Sequence, residues 1–360
     1  MTKAQLSSRW QTGNYKQILD NFGQIFNQVN LSQLKNLADT FEGRIDCRGL
    51  PLPSATTDFT QIENLLENID FSYAELGQPI CFSCCQFSNC LFKNGQIDCS
   101  FWGSHMINCQ FIGGQINTCF GTSFERKPAK KGQIKAYYSI EKYGFESLTN
   151  CAFNKVTFKK YAGIGAICKA CVFENCKFNF FKMDGIFEDC QFIGKLRDMV
   201  FTGYQLELID YPPTETTPFN SMKNVDFSQC ELSFMSFRNG CDLGQIIPPN
   251  SNKHLVINYT LAFAEKVEKL GLARGLNKHF MWYQLKGLFH VGLSKADYLR
   301  RFPEDTEIVN NNQYFDIHAT TEPWGIISVK DYGTTAKKDE IQFAKDWFEI
   351  CCIAKQSLAL

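Results

Sequence analysis

Nowhere in this 360-residue sequence do eighteen apolar residues follow one another, so no membrane-spanning helix is written in it. The opening, MTKAQLSSRWQTGNYKQ, lacks the apolar run of a secretory leader, and the expectation is a soluble, cytoplasmic protein. An excess of one charge is missing as well. Lys plus Arg and Asp plus Glu both number 37, which leaves no global field to draw the chain to nucleic acid or to an anionic membrane. Catalytic signatures are equally scarce. His105, His254, His279, His290 and His318 form no HExxH pair, and the chain has no phosphate loop and no GxSxG elbow. GIGAIC at 163–168 lacks the third glycine of a dinucleotide fingerprint. These gaps predict no catalytic residue, no cofactor and no metal. They leave an enzyme within residues 250–360 as an alternative.

What the chain has is a five-residue rhythm between Ile69 and about Leu243. Phe82, Phe87, Phe92 and Ile97 fall five apart, and Cys85, Cys90 and Gly95 each stand two residues ahead of one of them. After a four-residue step the pattern resumes at Phe101, Met106, Phe111 and Ile116. A longer run takes in Leu148, Phe153, Phe158, Gly163, Cys168, Phe173, Phe178 and Met183, and shorter ones hold Phe187 and Phe192, then Phe227, Leu232 and Phe237. That period is neither helical nor flat-strand. A short repeat sustained over most of a chain marks a solenoid, whose units bury their apolar faces only by stacking. Five residues make one side of a coil, and four sides close a square in which the large residue and the small one before it both point inward. Cysteine accounts for much of the small position: Cys85, Cys90, Cys99, Cys109, Cys151, Cys171, Cys176, Cys190 and Cys230 all occupy it. A buried thiol there acts as a compact hydrophobe. Cys81 with Cys84, and Cys168 with Cys171, have zinc-like spacing, but the repeat already accounts for Cys85, Cys168, Cys171 and Cys176, and packing rather than a metal is the expectation.

In IDFSYAELGQ (69–78) and VDFSQCELSF (225–234) the repeat reads small residue, Asp, Phe or Leu, then two mostly polar residues. In this it resembles the pentapeptide-repeat proteins. The resemblance covers about half of the chain and implies a right-handed quadrilateral β-helix, mainly β, with degenerate repeats in which Cys replaces Ala and Phe replaces Leu.

Taken in order, residues 1–68 read as a helical amino-terminal cap and lead-in, with a short helix expected within 54–68. Residues 69–246 read as the β-helix, interrupted by excursions near 125–146 and 207–221. Residues 250–360 read as a helix-rich α+β domain, with helical patterning over 254–270, 276–290 and 335–355 and a break at Gly271. Loops on a rigid scaffold concentrate binding residues. Candidate partner-binding residues are therefore Lys127, Lys130, Lys131, Tyr137 and Tyr138 in the first excursion, together with Trp282, Tyr283 and Trp324 of the terminal domain.

The resemblance implies a non-enzymatic protein-binding module, one that shields a target or neutralises a toxin as a bacterial immunity protein does. Two further readings stand beside it: a DNA mimic that occupies DNA gyrase or a topoisomerase, and a bacterial effector. The mimic needs a strongly negative surface. Residues 71–243 hold 17 Lys and Arg against 16 Asp and Glu, which argues against it. The expected partner is a protein rather than nucleic acid or membrane, and family members often pair as homodimers through a carboxy-terminal element.

Overall fold

The computed structural model describes residues 1–27, 31–52, 60–77, 80–121, 146–203 apart from 161, 179 and 180, 219–279 apart from 239, 251 and 259, a few positions between 282 and 306, 324–328 and 338–358. The chain divides into two compact units, Met1–Lys195 and Leu196–Leu360.

The first unit opens on α1 (Lys3–Ser8), closed at its start by a capping box: the Gln5 N–H donates to Thr2 Oγ1 at 3.2 Å and the Thr2 N–H to Gln5 Oε1 at 2.8 Å. After a 3₁₀ turn (Arg9–Gln11) come α2 (Gly13–Asp20), α3 (Phe22–Asn27) and α4 (Leu31–Leu37). Trp10, Ile18, Phe22, Phe26 and Leu34 are all buried, as the helical spacing predicts. These helices close the open end of the first coil. The Phe26 ring lies 6.4 Å from Phe71, the Asn64 side chain donates to the Phe26 carbonyl at 2.8 Å, and the Trp10 indole donates to the Arg48 carbonyl at 2.9 Å.

From Arg44 onward the backbone turns through four short extended sides per coil, and each side pairs in parallel with the same side of the next coil. The first face runs through Arg44–Asp46, Ile69–Asp70, Leu91–Lys93, Gln110–Ile112, Ala152–Asn154 and Val172–Glu174. The second runs through Pro51–Leu52, Glu75–Leu76, Gln96–Ile97, Gln115–Ile116 and Thr157–Phe158. The third holds Thr60–Ile62, Ile80–Ser83, Ser100–Trp102, Cys119–Phe120, Gly163–Ile164 and Phe181–Met183. Leu65–Glu67, Gln86–Ser88, His105–Ile107, Ser147–Thr149, Ile167–Lys169 and Ile186–Glu188 form the fourth. This is the expected quadrilateral β-helix.

Pairing in register puts like on like. Phe71, Phe92, Phe111, Phe153, Phe173 and Phe192 form one file of rings, stacked at 4.6 to 5.2 Å, close to the roughly 4.8 Å between neighbouring strands. Phe82, Phe101 and Phe120 stack up the third face at 5.3 to 5.5 Å. Each buried Phe contributes about 1.5–3 kcal/mol through area alone.

Two sequence expectations change here. Thr60–Ile62 and Leu65–Glu67 are strands, not a short helix within 54–68. The apolar spacing of Ile62, Leu65 and Leu66 suits a helix locally, but Ile62 and Leu66 complete the first coil beneath Phe82 and Phe87 and are fully buried there. Likewise Ile164, not Gly163, is the axial residue of its coil. The side from Phe158 to Ile164 takes six residues, and Gly163 pairs instead in the column of Cys119 and Lys182.

The second unit contains a parallel pair, Met199–Thr202 with Ser236–Arg238, in which the Phe201 and Phe237 rings stack at 5.5 Å. An antiparallel pair follows, His254–Asn258 with Trp324–Ser328. The first of these strands corrects the helix expected over 254–270: the β-branched and polar stretch HLVIN pairs, and the helix starts only at α5 (Leu261–Ala273), where Thr260 Oγ1 accepts the Phe263 N–H at 3.1 Å. A long terminal helix, α6 (Lys338–Leu358), packs on α5 through Phe263, Val267, Phe343, Trp347 and Ile350. Arg274 bridges to Glu349 with two 2.9 Å bonds. Gly271 does not end the helix. A Cβ there would overlap the indole of Trp282, so the glycine lets that ring lie against the helix backbone.

Candidate interaction surface

The corners decide which side chains face out. On leaving the fourth face the chain places Asn89, Asn108, Asn150 and Asp189 in the left-handed region, at φ between 52° and 55°. Asparagine and aspartate tolerate that region better than other side-chain-bearing residues. The residue after each turns inward: Cys90, Cys109, Cys151 and Cys190. Backbone donors at these corners point along the stack, with the Asn89 N–H on the Ile107 carbonyl at 3.0 Å and the Asn108 N–H on the Thr149 carbonyl at 3.0 Å. Asn94 and Asn175 serve the next corner in the same way, ahead of Gly95 and Cys176. The dipeptides Asn-Cys and Asn-Gly were therefore the readable sign of a corner, one that hydrophobic spacing alone did not use.

With large and small repeat residues consumed by the interior, the flanking positions of each side make the exterior. Gln86, Gln96, Gln110 and Gln115 lie exposed along the early coils, and Lys155, Lys169, Lys177 and Lys182 along the later ones. Acidic neighbours break up that positive charge: Lys169 lies 3.8 Å from Glu188 and Lys182 2.7 Å from Asp184.

Both excursions re-enter the fold on a buried polar residue. Glu146, 3% exposed, sits in the inward column of Cys85, Ser104, Ala166 and Gly185, and its Oε1 accepts the Gly103 N–H at 2.6 Å. The carboxylate thus satisfies a corner donor in the last coil before the excursion. Asn220, fully buried, donates its N–H to the Gly203 carbonyl at 2.9 Å and its side chain to the Thr202 carbonyl at 3.3 Å, and accepts from the Met222 N–H at 3.2 Å. Neither anchor stood out in the sequence, because a Glu or Asn in a repeat looks like any exposed polar residue.

Of the candidate partner residues, Lys127, Lys130, Lys131, Tyr137, Tyr138 and Tyr283 lie outside the described residues. Trp324 pairs through its backbone with Asn258. Trp282 is buried at 3% exposure, edge-on to Trp347 with ring centroids 6.0 Å apart, so it serves the core of the second unit and not its surface. The His279 ring lies on Phe343 at 4.4 Å; His290 and His318 fall outside the described residues.

All seventeen cysteines are free thiols. Burial pushes Cys81, Cys85, Cys176 and Cys230 up to about 12 and Cys119 up to about 11, which keeps them protonated and poorly nucleophilic at neutral pH. Among the described residues no cluster of three or more His, Cys, Asp or Glu has the arrangement of a metal site, and no helix is long and apolar enough to cross a membrane.

No family model and no curated protein matches the sequence. Among solved structures the chain is similar to full-length QnrB1, a plasmid-mediated fluoroquinolone resistance protein, at 14% identity over 57% of this chain and 92% of that one, with a TM-score of 0.18. It is also similar to HetL, a pentapeptide repeat protein involved in heterocyst differentiation regulation in the cyanobacterium Nostoc, at 12% identity over 57% and 88%, with a TM-score of 0.23. At such scores these likenesses carry no argument, and the four-sided coil stands on its own strand register.

Proposed function

We propose that this chain is a non-enzymatic protein-binding module in which a stiff four-sided coil presents its flanks and two excursions to a protein partner, either shielding that partner or neutralising it as a bacterial, cytoplasmic immunity protein would. One observation carries the reading: the excursions leave a register-locked scaffold and return on buried anchors, Glu146 and Asn220, so their ends are held before any partner arrives. Prior rigidity lowers the ordering entropy that binding costs. Lys127, Lys130, Lys131, Tyr137 and Tyr138 of the first excursion are the residues proposed to make contact. The mixed charge of the later coils favours an ordinary protein partner over the gyrase-directed DNA mimic, which calls for a continuous acidic stripe.

Capture experiments with the intact chain and with a Lys127→Glu, Lys130→Glu, Lys131→Glu variant test this. A protein retained by the first and lost from the second, with circular dichroism unchanged, supports the reading. Equal retention by both contradicts the assignment to the first excursion, and turnover of a small molecule by either contradicts the non-enzymatic reading.

A further inference from the structure

Charge is distributed unevenly around the square. On the third and fourth faces of the later coils the lysines have acidic company, Lys182 beside Asp184 at 2.7 Å and Lys169 beside Glu188 at 3.8 Å. The second face differs. Its exterior carries Glu75 and Asp98 on the early coils, then the uncharged Gln115 and Asn117, then Thr157, Lys159 and Lys177, with Lys155 at the corner that leads onto it. Among the described residues no Asp or Glu stands on this face beyond Asp98, and Lys155, Lys159 and Lys177 have no ion-pair partner. Glu174, the acidic residue closest in sequence to Lys177, lies on the first face and accepts from the side-chain amides of Asn154 and Asn175. The three lysines are held in place at their backbones: the Lys155 N–H donates to the Glu174 carbonyl, the Lys159 N–H to the Ile116 carbonyl and the Lys177 N–H to the Val156 carbonyl, each at 2.8 Å. Phe158 and Phe178, stacked at 4.9 Å, back the face from inside.

We propose that the second face of the later coils docks an extended acidic segment of a protein partner, with Lys155, Lys159 and Lys177 as its contacts and Thr157 at their centre. The inference rests on the protein-binding reading above and gives that partner a chemistry. Lys155 and Lys159 flank Thr157 at two residues on either side, about 6–7 Å each way along an extended chain, and Lys177 pairs beside Thr157 in the next coil, about 4.8 Å off. An extended peptide presents alternate side chains to one side at the same interval, so carboxylates at every second position meet successive lysines. Three cations without carboxylate partners in the free protein give up no ion pair when such a segment arrives, whereas Lys169 and Lys182 must first leave theirs. A nucleic-acid strand has a comparable charge spacing, but this face offers it little else. Gln96, Gln115, Asn117 and Thr157 supply no aromatic ring for a base to stack on, and the chain as a whole has no positive excess to attract a polyanion.

Fluorescence anisotropy with the full chain tests this, using a labelled peptide that alternates Glu and Ser, the same peptide with Lys in place of Glu, and a short DNA duplex. The acidic peptide should bind, more weakly as salt rises, and the Lys peptide should not. Lys155→Glu with Lys177→Glu should weaken binding about tenfold, as the loss and reversal of exposed ion pairs implies. Lys93→Glu with Lys169→Glu makes the same change in net charge on the first and fourth faces, and should leave binding within about twofold of the unaltered chain. All four positions except Lys169 lack an ion pair and all four are exposed, so both variants should fold, which circular dichroism checks. No binding of the acidic peptide, equal weakening by the two variants, or tighter binding of the duplex than of the peptide overturns the proposal. The wider reading fails separately: a chain that binds the peptide through this face but captures no protein loses the proposed function, and one that captures a partner yet ignores the peptide loses only the docking face.

Discussion

Residues 80–121 and 146–195 build the same coils with the same inward residues, yet their exteriors differ sharply. The first stretch holds one Lys and one Asp, Lys93 and Asp98, and apart from the half-buried His105 is otherwise amide, hydroxyl and apolar outside. The second holds, besides the buried Glu146, eleven charged residues in a similar length. The Phe file passes through both without a change in spacing, at 4.7 Å for Phe92 on Phe111 and 4.9 Å for Phe153 on Phe173. Interior and exterior are therefore independent. The fold needs only the inward pair of each repeat, which frees the flanks to vary with whatever the protein touches.

The sharpest way to break that comparison is to attack the interior in both stretches. Phe92→Ala and Phe173→Ala each remove a ring stacked on both sides and should each cost about 3–5 kcal/mol in chemical denaturation. A large cost in one stretch and a small one in the other would show that the two do not share a core.

The cap offers the next largest effect. Asp46 is buried on the first face, where Arg9 and Arg48 each donate twice to its carboxylate, at 2.7 to 2.9 Å. Burial works against its charge, but those bonds outweigh burial and hold its carboxyl well below the usual carboxylate range. A folded value below the unfolded one, about 3.9, means the contribution is complete above that pH and drains away as pH falls further. Asp46→Ala strands two partly buried guanidinium groups and should cost about 3 kcal/mol at pH 7. The wild-type advantage should shrink in denaturation series run toward pH 2. An advantage that grows there would contradict the pairing.

Smaller effects sharpen the picture. Gly271→Ala gains about 1 kcal/mol of helix propensity but drives a methyl into Trp282, so thermal unfolding should show a net loss of about 1–2 kcal/mol. At the corners, Asn108→Ala should cost about 1 kcal/mol because Ala resists a φ of 55°, whereas Asn108→Gly should be close to neutral. Lys177→Ala, on the exposed flank of a later coil, should fall within about 0.5 kcal/mol of wild type.

Those contrasts also explain what the sequence allowed to be read. Phe and Cys at fixed spacing are long-range information written locally, because stacking makes every coil repeat the demands of the last; Phe82, Phe87, Phe92 and Ile97 suffice to place four sides. Ile62 and Leu66 were harder, since a single coil without a preceding repeat shows no period, and their strand character comes from neighbours twenty residues later. His254 belongs to a strand whose partner lies at Ser328, and no local pattern records that pairing. The anchors were least visible of all. Glu146 is buried because the chain leaves and returns beside it, a fact of topology and not of its neighbours in sequence.

The most direct test of the account is the proximity of aromatic rings on either side of the first excursion, measured by nuclear Overhauser contacts in selectively labelled protein. The register predicts that Phe153 touches both Phe111, forty-two positions earlier, and Phe173, with centroids 4.6 and 4.9 Å apart. Contacts from Phe153 only to rings within its own coil, with none to Phe111, would contradict the stacked square on which both the architecture and the proposed role depend.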